Sequence, residues 1–279
     1  GIDKPGVFAY RTLADLDEMT AYAKGRKRVA VIGGGLLGLE AANAMLNLGL
    51  ETTVVEFAPR LMPRQLDEAG GRILQAMINA RGIDVLTGVS TRLVLGDCEV
   101  EGLAFADGSR LDVDMIVVSA GIRPRDELAE QAGLTMGPRG GVCVDELMQT
   151  SHADIYAIGE VASFEGMTYG LVAPGYDMAD VAAHQILGKE RRFEAPDLST
   201  KLKLVGVDVA SFGEALADGD AYQTVAFEDS VNGVYKKLVL SSDGKYLLGG
   251  ILVGDADAYN DLLQLMRNEI ELPGNPEAL

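Results

Sequence analysis

Arg28-Val-Ala-Val-Ile-Gly-Gly-Gly-Leu-Leu-Gly-Leu-Glu40 is the stretch whose reading decides the fold. A short apolar run ends in glycines and gives way to helix-forming residues. That order reads as a buried parallel strand, a tight turn and a helix opening on the turn. Gly33-Gly34-Gly35-Leu36-Leu37-Gly38 matches G-x-G-x-x-G. The match alone is weak, but the context strengthens it: the helix over 36–48 stops at Gly49, and a second strand, rich in Thr and Val, ends at an acid, Glu56. Strand, helix and strand within about thirty residues make a βαβ unit, expected to be right-handed.

Each position of the turn has a task. Gly33 makes the tight turn, Gly35 lets the backbone approach a diphosphate, and Gly38 lets helix and strand pack closely. Gly34, Leu36 and Leu37 complete the cradle, where unpaired N–H groups and a partial positive charge favour an anion. Glu56, with Phe57 beside it, is expected to accept hydrogen bonds from an adenosine ribose. A 2′-phosphate there would bring like charges about 4 Å apart, costing up to about 4 kcal/mol at an effective dielectric of 20. NADH is therefore expected before NADPH. Arg60, four residues on, would soften that preference by meeting a phosphate.

Outward from the turn, Leu13, Leu16, Met19 and Tyr22 mark a helix over 11–25. A helix over 67–81 precedes a strand at 84–87, Asp107-Gly108 fits a hairpin turn, and Leu111–Ala120 reads as a third buried strand. A linker-like Gly121-Ile-Arg-Pro124 leads to a strand at 142–145. A second unit follows from Thr150, with a strand at Asp154–Ile158 and a helix over 176–187. From Thr200 the texture changes to alternating segments at 201–205 and 235–240, a turn at Asp243-Gly244, a strand at 246–253 and a helix from about 258 to 269. The fold class is α/β: a Rossmann-like domain at 1–122, part of a second α/β domain at 123–195, and a small α+β domain at 196–279.

Composition narrows the function classes. The 279 residues suit about two domains of ordinary size, and an apolar content of 48% with 34 glycines suits a packed α/β protein. A formal charge of −18 repels nucleic acid and anionic membrane, but not an anion held by local dipoles. No run of 18 apolar residues occurs, and the first residues lack the pattern of a signal peptide. The cysteines, Cys98 and Cys143, form no CxxC, which removes a redox dithiol or an all-cysteine cluster. His152 and His184 read as surface or core residues, and no metal site is expected.

Gly33–Glu40 and Val55-Glu-Phe-Ala-Pro-Arg-Leu61 resemble the pyridine-nucleotide domain of two-dinucleotide flavoproteins. Gly121-Ile-Arg-Pro124 and the segment from Thr150 through Ile155-Tyr-Ala-Ile-Gly-Glu160 continue the likeness. Tyr169–Tyr176, Lys201–Val209 and Leu248–Asp255 resemble the NAD(P)H nitrite reductase large-subunit family in particular. The resemblance implies NAD(H), with NADP(H) second, on the 33–38 turn and Glu56. It implies Gly121 and Ile122 on the nicotinamide side, Gly159 and Glu160 on a flavin ribityl chain and phosphates, and the helix at Val172 and Ala173 facing the isoalloxazine. Where the wider superfamily carries Asp, this chain has Glu160. Glu40 resembles a glutamate near the flavin–nicotinamide contact; a helix acid without that role reads equally well. It is the one catalytic candidate, since hydride transfer needs no general base of its own.

The family also implies an FAD-binding segment before Gly1 and iron–sulfur and sirohaem regions after the last residue, so this chain is expected to bind NADH and to hold FAD weakly or not at all. The segment 150–190 would then carry an unpaired apolar edge at 155–158. A cytoplasmic setting and a homodimer are expected. Reductases of the rubredoxin, ferredoxin or NADH-oxidase kind, and a non-catalytic nucleotide-binding fragment, are the alternative readings.

Overall fold

The computed structural model describes residues 1–273. Its first part runs β1 (Val7–Ala9), α1 (Leu13–Ala23), β2 (Arg28–Ile32), α2 (Leu36–Asn47), β3 (Glu51–Val55), α3 (Glu68–Asn79), β4 (Ile83–Leu86), β5 (Thr91–Leu95), β6 (Gly102–Phe105), β7 (Arg110–Asp112) and β8 (Met115–Val118). A five-stranded parallel sheet has the order β1-β8-β2-β3-β4. Successive side chains point to opposite faces, and both faces are covered, so the strands read as unbroken apolar runs. Val29, Val31, Val54, Met115 and Val117 share a core with Met19 of α1 and with Leu39, Ala42 and Met45 of α2. Ala30, Val55 and Ile116 pack instead with Leu103 and Phe105 of the small antiparallel sheet β5-β6-β7. Thr12 starts α1 through a reciprocal cap with Asp15.

The single strand expected over 111–120 is two strands in different sheets, β7 and β8. The chain turns at Asp114, whose carboxylate accepts from the backbone N–H groups of Lys27 (3.0 Å) and Arg28 (2.9 Å) and lies 3.3 Å from the Arg28 guanidinium. Burial, the largest single effect, pushes this carboxyl up; those N–H donors and the arginine together hold it below its ordinary value. Apolar residues continue across the break at Val113 and Met115, which hid it in the sequence.

The chain divides into two compact units, one formed by Gly1–Ala120 with the chain from Leu198 on, the other by Gly121–Asp197. The second holds α4 (Glu127–Gln131), β9 (Val142–Val144), β10 (Ala162–Phe164), β11 (Met167–Thr168) and α5 (Val172–Ile186), with sheet order β11-β10-β9. Its core joins Val142, Met148, Ala162, Met178 and Val181 to Phe164, Tyr169 and Phe193, whose rings meet edge to face. The strand expected at 154–158 is not formed: among the described residues it makes one bridge, Tyr156 to Gln149, and no ladder. α5 begins at Val172, where the family resemblance placed its entry, rather than at Tyr176, where the residue pattern placed its start. Pro174 sits in its first turn, where a missing N–H breaks no helical bond, so the apparent breaker is a starter.

The last described part runs β12 (Thr200–Leu204), β13 (Val207–Gly213), β14 (Tyr222–Asp229), β15 (Val234–Ser241), β16 (Leu247–Val253) and α6 (Tyr259–Arg267), its antiparallel sheet ordered β12-β13-β16-β15-β14. One face puts Val207, Val209, Tyr235, Ile251 and Val253 into the same core as Ile73, Leu74 and Ile78 of α3. The other packs Ala210, Phe212, Leu238 and Leu240 on Tyr259, Leu262 and Leu263 of α6. Asp67 fastens the sheet to α3. It caps that helix by accepting from the Gly70 N–H (2.9 Å), accepts from the Tyr235 hydroxyl (2.6 Å), and lies 3.6 Å from the Lys237 ammonium. Burial, then the bond to Asp67, raises the Tyr235 phenol far above its ordinary value. Among the described residues no helix is long and apolar enough to cross a membrane.

Candidate dinucleotide site

β2 leads into Gly33, whose φ of +116° is open to glycine at little strain; a Cβ there would also collide with the Ser119 carbonyl. The Gly33 N–H donates to the Val55 carbonyl (2.8 Å), tying the turn to β3. Gly35 is the N-cap of α2, and no side chain caps the helix. The first N–H groups of α2 therefore have no acceptor within the helix. A Cβ on Gly35 would meet nothing within 4 Å, so the space before the helix end is open, whereas one on Gly38 would collide with the Gly33 carbonyl. Gly38 thus closes the turn and Gly35 opens it. An anion approaching these N–H groups closely is what this shape admits.

Glu56 stands beside the cradle. One carboxylate oxygen accepts from the Gly34 N–H (2.5 Å), the other from the Ala58 N–H (2.6 Å). The loop after it folds back: the Met62 N–H donates to the Gly34 carbonyl (3.0 Å), and Leu61 is fully buried against Gly34. Phe57 is 76% exposed. Arg60 does not stand ready for a phosphate, as its sequence position suggested. Its guanidinium donates to the Leu66 carbonyl (2.7 Å) and lies 3.4 Å from that of Pro63, and its stem packs on Gly71. Ala58 and Leu61, which lie inside the run quoted for the resemblance, and Met62 and Ser119, which do not, shape this site without a role of their own legible in the sequence, since they act through backbone groups or as ordinary apolar residues.

Glu40 is exposed on α2 and makes no ion pair or hydrogen bond among the described residues. It lies past the first turn, beyond the strongest influence of the helix dipole.

The other expected positions belong to the second unit. Ile122 lies against Gly170, where an added Cβ would stand 2.7 Å from its Cδ1. Gly159 opens a 3-10 turn, Gly159–Val161, with φ +73° and nothing within 4 Å of an added Cβ. Gly175 of α5 packs on it, 3.5 Å from an added Cβ to the Gly159 Cα. Glu160 is half-buried in that turn. α5 starts with no side-chain cap, and exposed Leu171, Val172, Ala173 and Tyr176 rim its first turn. Leu171 and Tyr176 had no signal of their own in the sequence. An open glycine face thus lies beside an uncapped helix start rimmed by apolar residues. Among the described residues no group of three or more His, Cys, Asp or Glu could hold a metal ion.

A glycine cradle with a carboxylate fixed next to it defines the first unit as a dinucleotide-binding α/β fold. The chain belongs to the pyridine nucleotide-disulphide oxidoreductase family, whose model matches residues 1–185. That family uses NAD(P)H and FAD. Residues 199–270 match the rubredoxin NAD+ reductase C-terminal domain. The chain is 51% identical over 282 residues to the nitrite reductase (NADH) large subunit of Escherichia coli K12, covering 100% of this chain and 33% of that one. It is 52% identical over 279 residues to the nitrite reductase [NAD(P)H] large subunit of Klebsiella oxytoca, covering 100% and 29%. It thus spans about a third of the length of these curated relatives. Among solved structures, the NAD-dependent persulfide reductase from A. fulgidus superposes with a TM-score of 0.85 at 25% identity, over 96% of this chain and 54% of that one.

Proposed function

We propose that this chain is the NADH-binding, electron-entry part of a nitrite reductase large subunit. The observation that carries the reading is the pairing of an open, uncapped helix start at Gly35 with a carboxylate, Glu56, already fixed by two backbone N–H groups. The 33–38 turn holds the diphosphate through the N–H groups left without an acceptor at the start of α2, and Glu56 holds the adenosine ribose. Phe57 lies beside the adenosine, and Gly121 and Ile122 lie on the nicotinamide side. Gly159, Glu160, Val172 and Ala173 meet FAD. Bound flavin supplies the two-electron acceptor for the hydride leaving NADH. The chain's own part is to fix position and to keep charge where it binds.

The domain scheme that goes with this is an NAD domain at 1–122, part of an FAD domain at 123–195 and a C-terminal domain at 196–279. An FAD-binding segment and iron–sulfur and sirohaem regions elsewhere in the whole protein then carry electrons to nitrite. A cytoplasmic setting and a homodimer belong to the same proposal. By itself the chain binds NADH and holds FAD weakly or not at all. Titration with NADH tests the first half, and loss of binding in Gly35→Ala supports it. Flavin copurifying in stoichiometric amount overturns the second.

A second reading, a rubredoxin-type reductase, is favoured by the match of residues 199–270 to the corresponding C-terminal domain. Supplying nitrite or rubredoxin to the whole protein with NADH separates the two.

A further inference from the structure

Gly34 occupies a position that the G-x-G-x-x-G pattern leaves free, yet its surroundings admit a side chain only by shifting. Its N–H donates to Glu56 Oε2 (2.5 Å), its carbonyl accepts from the Met62 N–H (3.0 Å), and it is buried. A Cβ would stand 2.6 Å from Leu61 Cδ2, 3.0 Å from Glu56 Cβ and 3.1 Å from Glu56 Cγ. Its φ lies outside the left-handed region, so the backbone itself admits alanine. What an alanine methyl would push on is the Glu56 side chain, which must give by a few tenths of an ångström, and the Leu61 methyl beside it, which must shift.

We propose that Gly34 is a positioning residue that aims Glu56, and so sets the discrimination between nicotinamide dinucleotides with a free adenosine ribose and those with a 2′-phosphate. This rests on the reading of Glu56 given above. An ionised carboxylate has about four acceptor sites, two on each oxygen. Here the Gly34 and Ala58 N–H groups take one on each oxygen. One remains on each, matching the two hydroxyls of an unmodified ribose. A 2′-phosphate offers no hydroxyl at one of those positions and adds like charge. Arg60 does not offset that charge, because its guanidinium is held by carbonyls of its own loop. The loop and the turn are locked together at Gly34, so the acid cannot swing aside without breaking the Gly34 bond. A methyl at Gly34 moves Glu56 off this aim while leaving the diphosphate cradle at Gly35 open.

The test is titration of the 279-residue chain with NADH and with NADPH, followed by dihydronicotinamide fluorescence, for the wild type, G34A, E56Q and the double variant. The expected result is a wild-type preference for NADH that G34A narrows about tenfold or more, the scale of a lost hydrogen bond to a charged group. In the E56Q background G34A adds nothing, because it acts through Glu56. A preference unchanged in G34A, or narrowed equally with and without Glu56, overturns the proposal. A wild type that binds neither nucleotide, or both alike, overturns the reading of Glu56 itself. Should G34A not fold, the amide proton of Gly34 in the 15N-labelled wild type decides. It should resonate far downfield and move upfield in E56A, and a resonance indifferent to that change overturns the proposal.

Discussion

Alanine at Gly38 would drive a Cβ into the Gly33 carbonyl, while alanine at Gly35 would place one in open space. The two changes should therefore part company. G38A should lose several kcal/mol of stability, about 3 or more, visible as a large fall in Tm. G35A should melt like the wild type yet bind NADH about tenfold or more weakly, because its methyl takes the room a diphosphate needs. Calorimetric melting and NADH titration of both variants check this; a G35A that binds normally removes the cradle from the site. At this scale the turn itself was legible, since Gly33, Gly35 and Gly38 stand between an apolar strand run and a helical run, with Glu56 ending the next strand. The engagement of Glu56 by Gly34 was not, because it depends on a loop folding back through Leu61 and Met62. Arg60 was misread for the same reason: the carbonyls that hold it belong to that fold-back, and carbonyls leave no mark in a sequence.

Elements meet at two carboxylates. Asp67→Ala should remove the cap of α3, about 1 kcal/mol. It should also strand the Tyr235 hydroxyl, a further 1–3 kcal/mol or so for an unsatisfied buried group. Tyr235→Phe keeps the cap and removes the hydroxyl, so it should destabilise distinctly less. Chemical denaturation of both variants ranks the two effects. Asp114 gives a pH dependence whose sign follows from its depressed carboxyl. Its contribution is fully present above the ordinary carboxylate value and is lost as pH falls through the folded-state value. The wild type should lose stability between about pH 5 and pH 3, and D114N, less stable at neutral pH, should lose less over that window. Tm measured against pH for the two proteins decides it. The same residue shows why boundaries were harder to read than element types. Apolar alternation carries on from Leu111 through Met115, so nothing local reveals that one strand is two. At 154–158 the composition suits a strand, but among the described residues the segment meets 148–150 in a single bridge and not a ladder, and strandhood depends on a ladder. At Val172–Gly175 a proline and a glycine hid the helix start from the residue pattern, though not from the family resemblance, because position within the helix, not identity alone, decides what proline does.

For the molecule as a whole, the first 120 residues and the chain from Leu198 share one core, while Gly121–Asp197 forms a unit of its own. Exposed Arg125 and Lys189 lie at the two ends of that inserted unit. Limited trypsin should therefore cut near them, and the flanking fragments should still elute together under native conditions while separating on a denaturing gel. Fragments that part during gel filtration would contradict a common core.

That shared core sets an order of events during synthesis. A ribosome releases α3 long before β13, β15 and β16, so the nascent nucleotide-binding half emerges with Ile73, Leu74 and Ile78 bare. More than a hundred further residues, including a whole interposed unit, must leave the exit tunnel before those side chains are covered. Such distant closure slows folding and leaves apolar surface open to chaperones. The Gly33–Gly38 turn is thus made more than a hundred residues before the strands that complete the core supporting its domain.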